Sequence, residues 1–467
     1  MTIVKGVISP HPPIIVPEVG GNERVQAMET IKALEKIAAR VKEADPELII
    51  FTTPHGTVFQ DALTVSVLTP LTGNLKAFGA DEVNFHYAND LQIAEELIRE
   101  AAIQGISVVP LDNDLAREYR VSLKLDHGIT VPLYFLKKAG VACPILPISI
   151  GFLPFEELYQ FGTLIRKTVE KMGRRVVFLA SGDLSHRLTK DAPVGYHPKG
   201  KEYDELLIDL LKKKKVENII GIDPELVETA GECGLRSFIM ILGAFDGYDF
   251  DFDLLSYEGP FGVGYMVGEI IPGPISSSRT LLEKIFDKRK ERLSEKRTQE
   301  SSPVTLARRA LETYILEGKT ITPPEQMQDL LLKRAGVFVS IKKHGQLRGC
   351  IGTIEPTREN MAEEIIQNAL SAGTRDPRFN PVSGGELKDL TYSVDMLYPP
   401  ESIASIEELD PKRYGVIVKS GYKSGLLLPN LEGIDTAEEQ VKIARQKAGI
   451  KPGEPVKLER FEVIRYY

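Results

Sequence analysis

The stretch "SSSRTLLEKIFDKRKERLSEKRTQESSP" at 276–303 decides how many cores this chain can have. Its second half is almost wholly charged and ends Ser-Ser-Pro. It has no apolar face to bury there and reads as a partly helical linker. The chain's 467 residues are in any case too many for one ordinary core. The break therefore predicts two domains, 1–275 and 303–467, joined by a charged linker over 276–302.

The first segment alternates strand-like and helix-like runs, the grammar of an α/β domain. "TIVKGVIS" (2–9) reads as a strand. Residues 22–43 follow as an amphipathic helix, with Val25, Met28, Ile31, Leu34, Ile37 and Val41 at three-to-four spacing. "ELIIFTT" (47–53) is the next buried strand, and "LQIAEELIREAAIQG" (91–105) a helix stopped by glycine. Residues 106–111, 143–150 and 175–181 are further short apolar strands. The second segment opens with a helix at 304–318. A β-hairpin at 336–352 turning at His344-Gly345 follows, then strands at 392–400 and 456–467, an α+β arrangement.

Composition narrows the function classes. A formal net charge of −8 gives no general attraction to nucleic acid or to an anionic membrane. No apolar run is long enough to span a bilayer, and the N-terminus lacks signal-peptide architecture. Cys143, Cys233 and Cys350 are widely spaced with no CxxC pair, so neither a disulfide framework nor a zinc ribbon is expected, and a cytoplasmic location is. No GxxxxGK[ST] loop is present, and "GPFGVGYMVG" (259–268) reads as a closing strand with turns.

Histidine placement carries the functional signal. Six of the seven histidines fall in the first domain. His11 follows the first strand in "SPHPP", His55 the second in "TTPHGT", and His186 a third in "LASGDLSH". Carboxyl ends of strands line the ligand crevice of an open α/β sheet, so these imidazoles can converge there. Proline and glycine stiffen the backbone around His11 and His55. Neutral imidazole is a good ligand for iron, zinc, copper and nickel, and two histidines with a carboxylate suit non-haem Fe(II). The third ligand is sought in "ETAGECGLRSF", where Glu232 and Cys233 adjoin and Glu228 lies one turn earlier. Adjacent side chains on a helix diverge by about 100°, so one of the pair faces the metal. Asp126 either orients His127 or caps the helix after it. His186 is placed to move protons, with Asp183 and Ser185 either holding it or serving the turn. His86 is expected to be structural or exposed, and His197 to line a pocket mouth. Tyr257 and Glu258 border the pocket by position alone.

In the second domain, Cys350 beside Arg348 is either an activated thiol or a small core residue. Arg375 and Arg378 in "TRDPRF" either bind an anion or form internal salt bridges.

Together, "SPHPP", "TTPHG", "DHGITVPL" and "ASGDLSH" resemble the class III extradiol ring-cleavage dioxygenases, the LigB-like family, and its Memo-like relatives, over roughly residues 1–270. The resemblance implies a mixed α/β fold with an Fe(II) site. It implies His11 and His55 as metal ligands, His186 as acid/base histidine and His127 as pocket histidine. The family's dioxygenases use a glutamate, pointing to Glu232, whereas Memo-like proteins carry a cysteine in "CG", pointing to Cys233. "LRGCIGT" (347–353) resembles the signature of the AMMECR domain family over about 303–467. Both families are associated with a radical-SAM protein, so such a partner is implied. Three functions follow as expectations: an Fe(II)-dependent dioxygenase inserting O2 into an aromatic diol, a metal-binding scaffold acting with the AMMECR-like domain, or a zinc hydrolase.

Overall fold

The computed structural model describes residues 2–343, 346–431 and 434–467. The chain divides into two compact units, Met1–Arg289 and Lys290–Tyr467. The division falls inside one helix, Leu282–Thr298, in the charged stretch.

The first unit is built on an eight-stranded mixed sheet. Its strands are β1 (Ile3–Ser9), β2 (Leu48–Thr53), β3 (Leu63–Ser66), β6 (Val108–Leu111), β7 (Ile145–Ser149), β8 (Val176–Ser181), β9 (Tyr248–Glu258) and β10 (Tyr265–Ile275). They run in the order β6-β3-β7-β2-β8-β1-β10-β9. The central strands β7, β2, β8 and β1 are mutually parallel. Strands β2 and β8 are buried on both faces, which explains their unbroken apolar sequences. Large apolar clusters flank the sheet. One gathers Phe178, Phe238 and Tyr203 among its members, the other Phe51, Leu34 and Ile37. A two-stranded hairpin, β4 (Leu71–Leu75) with β5 (Ala80–Tyr87), stands apart from the main sheet.

The expected elements form with local differences. The helix expected over 22–43 begins as a 3-10 turn, Glu23–Ala27, and becomes α-helical only at Met28. The change of pitch turns Val25 out of the apolar stripe, and it is 61% exposed. His86 lies on β5 with its side chain exposed. Strand β9, which the sequence reading passed over, alternates aromatic and acidic residues in "YDFDFD", a period-two signal. No helix of the described residues is long and apolar enough to cross a membrane.

The second unit holds an antiparallel sheet in the order β12-β11-β13-β17-β15-β16, with β14 against β17. These strands are β11 (Gly336–Lys343), β12 (Gln346–Gly352), β13 (Leu390–Leu397), β14 (Glu401–Ile403), β15 (Tyr414–Ser420), β16 (Lys423–Leu427) and β17 (Lys457–Tyr466). Helices Ser302–Glu317 and Met361–Thr374 supply its main core with Leu306, Ala310, Ile365 and Ala369. Strands β11 and β12 pair as expected, and His344, expected at their turn, lies outside the described residues.

Candidate metal centre

Because β2, β8 and β1 are parallel neighbours, the loops leaving their carboxyl ends share one edge of the sheet. His11 is two residues past β1, His55 two past β2, and Asp183 two past β8. His11 Nε2 and His55 Nε2 face each other at 2.9 Å. Cys233 Sγ lies 3.7 Å from His11 Nε2. His11 Nδ1 is engaged by Ser181 Oγ at 2.9 Å, which leaves Nε2 to face the cluster. The His55 and His127 rings stack with centroids 4.2 Å apart, and His11 meets both edge-on.

The Cys233 turn is bound to the loop after β8. The N–H groups of Cys233 and Gly234 both donate to Asp183 O, at 3.3 and 3.0 Å, and the Asp183 N–H donates to Cys233 Sγ at 3.3 Å. Two glycines make this approach possible. A Cβ on Gly182 would lie 2.1 Å from Gly234 Cα. We therefore expect Gly182→Ala to push the two segments apart and weaken metal binding about tenfold, read by competition with a chromophoric chelator.

Of the two ligand candidates left open, the cysteine joins the histidines. Residues 231–234 form a turn and the helix begins only at Leu235, so helical divergence does not govern this pair. The Glu232 carboxylate accepts the Leu235 N–H at 2.6 Å and stands outside the group of ligand atoms. Glu228 lies on the preceding helix, Pro224–Ala230, also outside that group. His11, His55 and Cys233 form one set of close donor atoms, and Asp183, His186 and Cys233 an overlapping one.

Asp183 Oδ1 accepts the His11 N–H at 3.0 Å, so Asp183 fastens His11 rather than His186. His186 Nε2 is buried without a hydrogen-bond partner among the described residues. Asp126 caps the helix His127–Lys138 through the Gly128 N–H and also accepts the Thr53 hydroxyl at 2.6 Å. Ser185 takes the turn role, its Oγ accepting the Arg187 N–H. His197 caps the helix Pro198–Lys212. Glu258 accepts from Thr30, and Tyr257 donates to Asp204, a buried residue the sequence reading did not single out. A cleft of about 610 Å3 opens beside His55, walled by Val58, Phe59 and Leu123.

Burial sets the protonation states. It pushes His55 down to about 3 and His11 well below its ordinary value, with neighbouring imidazoles adding to both. His127 and His186 are lowered by burial against an opposing pull from Asp183. Burial raises Asp183 to about 6, Glu232 to about 7, and the Cys233 thiol well above its usual range. At neutral pH these directions give neutral imidazoles and a protonated thiol.

The three donor atoms lie within 4.8 Å of one another, with His11 Nε2 2.9 Å from His55 Nε2 and 3.7 Å from Cys233 Sγ, close enough for one ion to reach all three.

In the second unit, Arg348 is held by both Glu386 oxygens at 3.0 and 3.1 Å rather than turned to the thiol. Cys350 Sγ accepts from Ser340 Oγ at 3.2 Å, and its backbone is clamped by Asp376 and Arg378. Arg378 takes the internal salt bridge, to Asp376, whereas the Arg375 side chain is exposed.

Comparison with known proteins agrees with this architecture. The family described as "Catalytic LigB subunit of aromatic ring-opening dioxygenase" matches residues 5–268, and AMMECR1 matches residues 304–466. Protein CA_C1420 of Clostridium acetobutylicum is 44% identical over 462 residues, covering 98% of this chain and 97% of that protein. A Thermotoga maritima protein is 52% identical over 166 residues, covering 35% of this chain and 95% of its own. Among solved structures, PH0010 of Pyrococcus horikoshii is 36% identical, covering 35% of this chain and 88% of that one, at a TM-score of 0.33. With β-strand ends, histidine loops and sequence in agreement, the chain belongs to the LigB family of aromatic ring-opening dioxygenase subunits and carries an AMMECR1 domain after it.

Proposed function

We propose that the first unit is a non-haem iron-dependent oxidoreductase that acts with O2 on an aromatic diol-type small molecule. One observation carries the reading: two imidazole nitrogens and a thiol sulfur converge within 4.8 Å of one another, and the buried nitrogen of His186 beside them has no hydrogen-bond partner among the described residues. His11, His55 and Cys233 would hold the iron. Fe(II) supplies the redox chemistry toward O2 that no side chain offers. The chain's own residues do the rest. Ser181 fixes the His11 ring, and Asp183 fixes its backbone. His127 stacks on the His55 ring. His186 Nε2 has no hydrogen-bond partner among the described residues and is placed to take the diol proton and return it.

The test is anaerobic purification, iron loading and oxygen-electrode measurement with a panel of catechols. Uptake coupled to loss of the diol is expected, and a fully iron-loaded protein inert to every catechol would overturn the reading. His186→Gln should lower turnover about 100-fold while leaving bound iron at the parental level, since proton transfer contributes at least that much.

A second reading is favoured by Cys233 itself. A thiolate is softer than a carboxylate and changes metal preference. On this reading the unit is a Memo-like metal-binding scaffold that works with the AMMECR1 domain and a radical-SAM partner, without ring cleavage. Retention of iron with no oxygen uptake, together with capture of such a partner, is its expected outcome.

A further inference from the structure

The loop that carries His186 is held from behind by a buried acid outside the metal-ligand set. Asp204 sits on the helix Pro198–Lys212 and is fully buried. One of its oxygens accepts the Ser185 N–H at 2.8 Å, and the other accepts the Tyr257 hydroxyl at 2.7 Å. Ser185 is the residue immediately before His186. Its other polar groups are also fixed: its carbonyl accepts the Gly264 N–H at 2.9 Å, and its hydroxyl donates to Ala230 O at 2.8 Å. Leu184, one residue earlier, donates to Gly264 O at 2.8 Å. The backbone entering His186 therefore has little freedom left.

Gly264 explains part of the glycine-rich stretch before β10. A Cβ there would lie 2.3 Å from Asp204 Oδ2 and 2.9 Å from Leu184 Cβ. Only a residue without a side chain lets the incoming strand reach both the acid and the loop.

Aspartate is a poor residue inside a helix, and burying its carboxylate is costly even when both oxygens are bonded. A leucine of similar size would leave the Ser185 N–H and the Tyr257 hydroxyl without an acceptor. What Asp204 provides that leucine cannot is a directed acceptor for one particular N–H.

The geometry points to Asp204, braced by Tyr257, as a positioning residue that acts through Ser185 to aim the His186 imidazole at the centre formed by His11, His55 and Cys233. This rests on the proton-handling role proposed above for His186, and it names the device that sets that group's direction.

The experiment uses the full-length chain loaded with Zn(II), a diamagnetic probe, and labelled with 13C at histidine Cε1. The seven histidine signals are assigned by single His→Gln variants. Asp204→Ala should shift or split the His186 signal while the His11 and His55 signals and the zinc stoichiometry stay parental. Tyr257→Phe, which removes one bond and leaves the acid in place, should give a smaller shift of the same signal. Asp204→Asn, which keeps an acceptor for the Ser185 N–H, should return the signal toward its parental position. If Asp204→Ala fails to fold, the Tyr257→Phe and Asp204→Asn pair decides by the same readout. An unmoved His186 signal, or equal movement of all the clustered histidines, overturns the inference. Failure of the iron reading is separable, because it appears as absent metal or absent oxygen uptake in the parental chain. Where catechol turnover is measurable, Tyr257→Phe should lower kcat about tenfold with KM unchanged.

Discussion

Replacing His11 and His55 together by alanine should abolish stoichiometric iron binding. A four-ligand structural zinc site is worth an apparent ~10–16 kcal/mol, so each ligand contributes about 3 kcal/mol. Losing both imidazoles weakens the site by about 10⁴-fold, taking each 1.4 kcal/mol as tenfold. The chain should still fold. His11 and His55 lie on loops beyond the strand ends, whereas the cores flanking the sheet are built from residues such as Phe178 and Phe51. The check is metal analysis after anaerobic reconstitution, with circular dichroism to confirm the fold. Bound iron at the parental ratio in the double variant would remove the basis of the account.

The pH dependence of metal affinity separates the cysteine from the glutamate. His11 and His55 are depressed by burial and already neutral at pH 6–8, so the ion displaces no proton from them. The Cys233 thiol is raised by burial and remains protonated throughout that range, so binding releases one proton. Affinity should therefore rise about tenfold per pH unit, about 100-fold from pH 6 to 8. A ligand at Glu232, whose carboxyl titrates at about 7, would behave differently: the rise would flatten above pH 7, where no proton is left to displace. Chelator competition at several pH values gives the slope directly. Cys233→Ser should lose both the slope and most of the affinity. A plateau above pH 7 in the parental chain would assign the ligand to the carboxylate.

Much of this centre was legible in the sequence, and the reason is geometric. A histidine two residues past an apolar strand is delivered to a sheet edge, and His11 and His55 both follow that pattern. What the sequence could not reveal is strand order. The two loops meet because β1 and β2 both flank β8 in parallel, a fact of tertiary pairing. Which of Glu232 and Cys233 lies beside the histidines was hidden for a similar reason. It depends on a turn closed by two N–H groups on Asp183 O, fifty residues earlier, and not on any local periodicity. Asp204 was invisible because an isolated aspartate in a helical pattern reads as solvent-facing. The glycines at 182 and 234 were the available hint, since paired glycines beside chemistry-bearing residues often mark close backbone approach.

Iron K-edge X-ray absorption on the anaerobically loaded full-length chain tests the central claim most directly. The account predicts one sulfur scatterer at about 2.3 Å with two imidazole nitrogens at about 2.1 Å. A shell of oxygen and nitrogen alone, unchanged by Cys233→Ser, would contradict it.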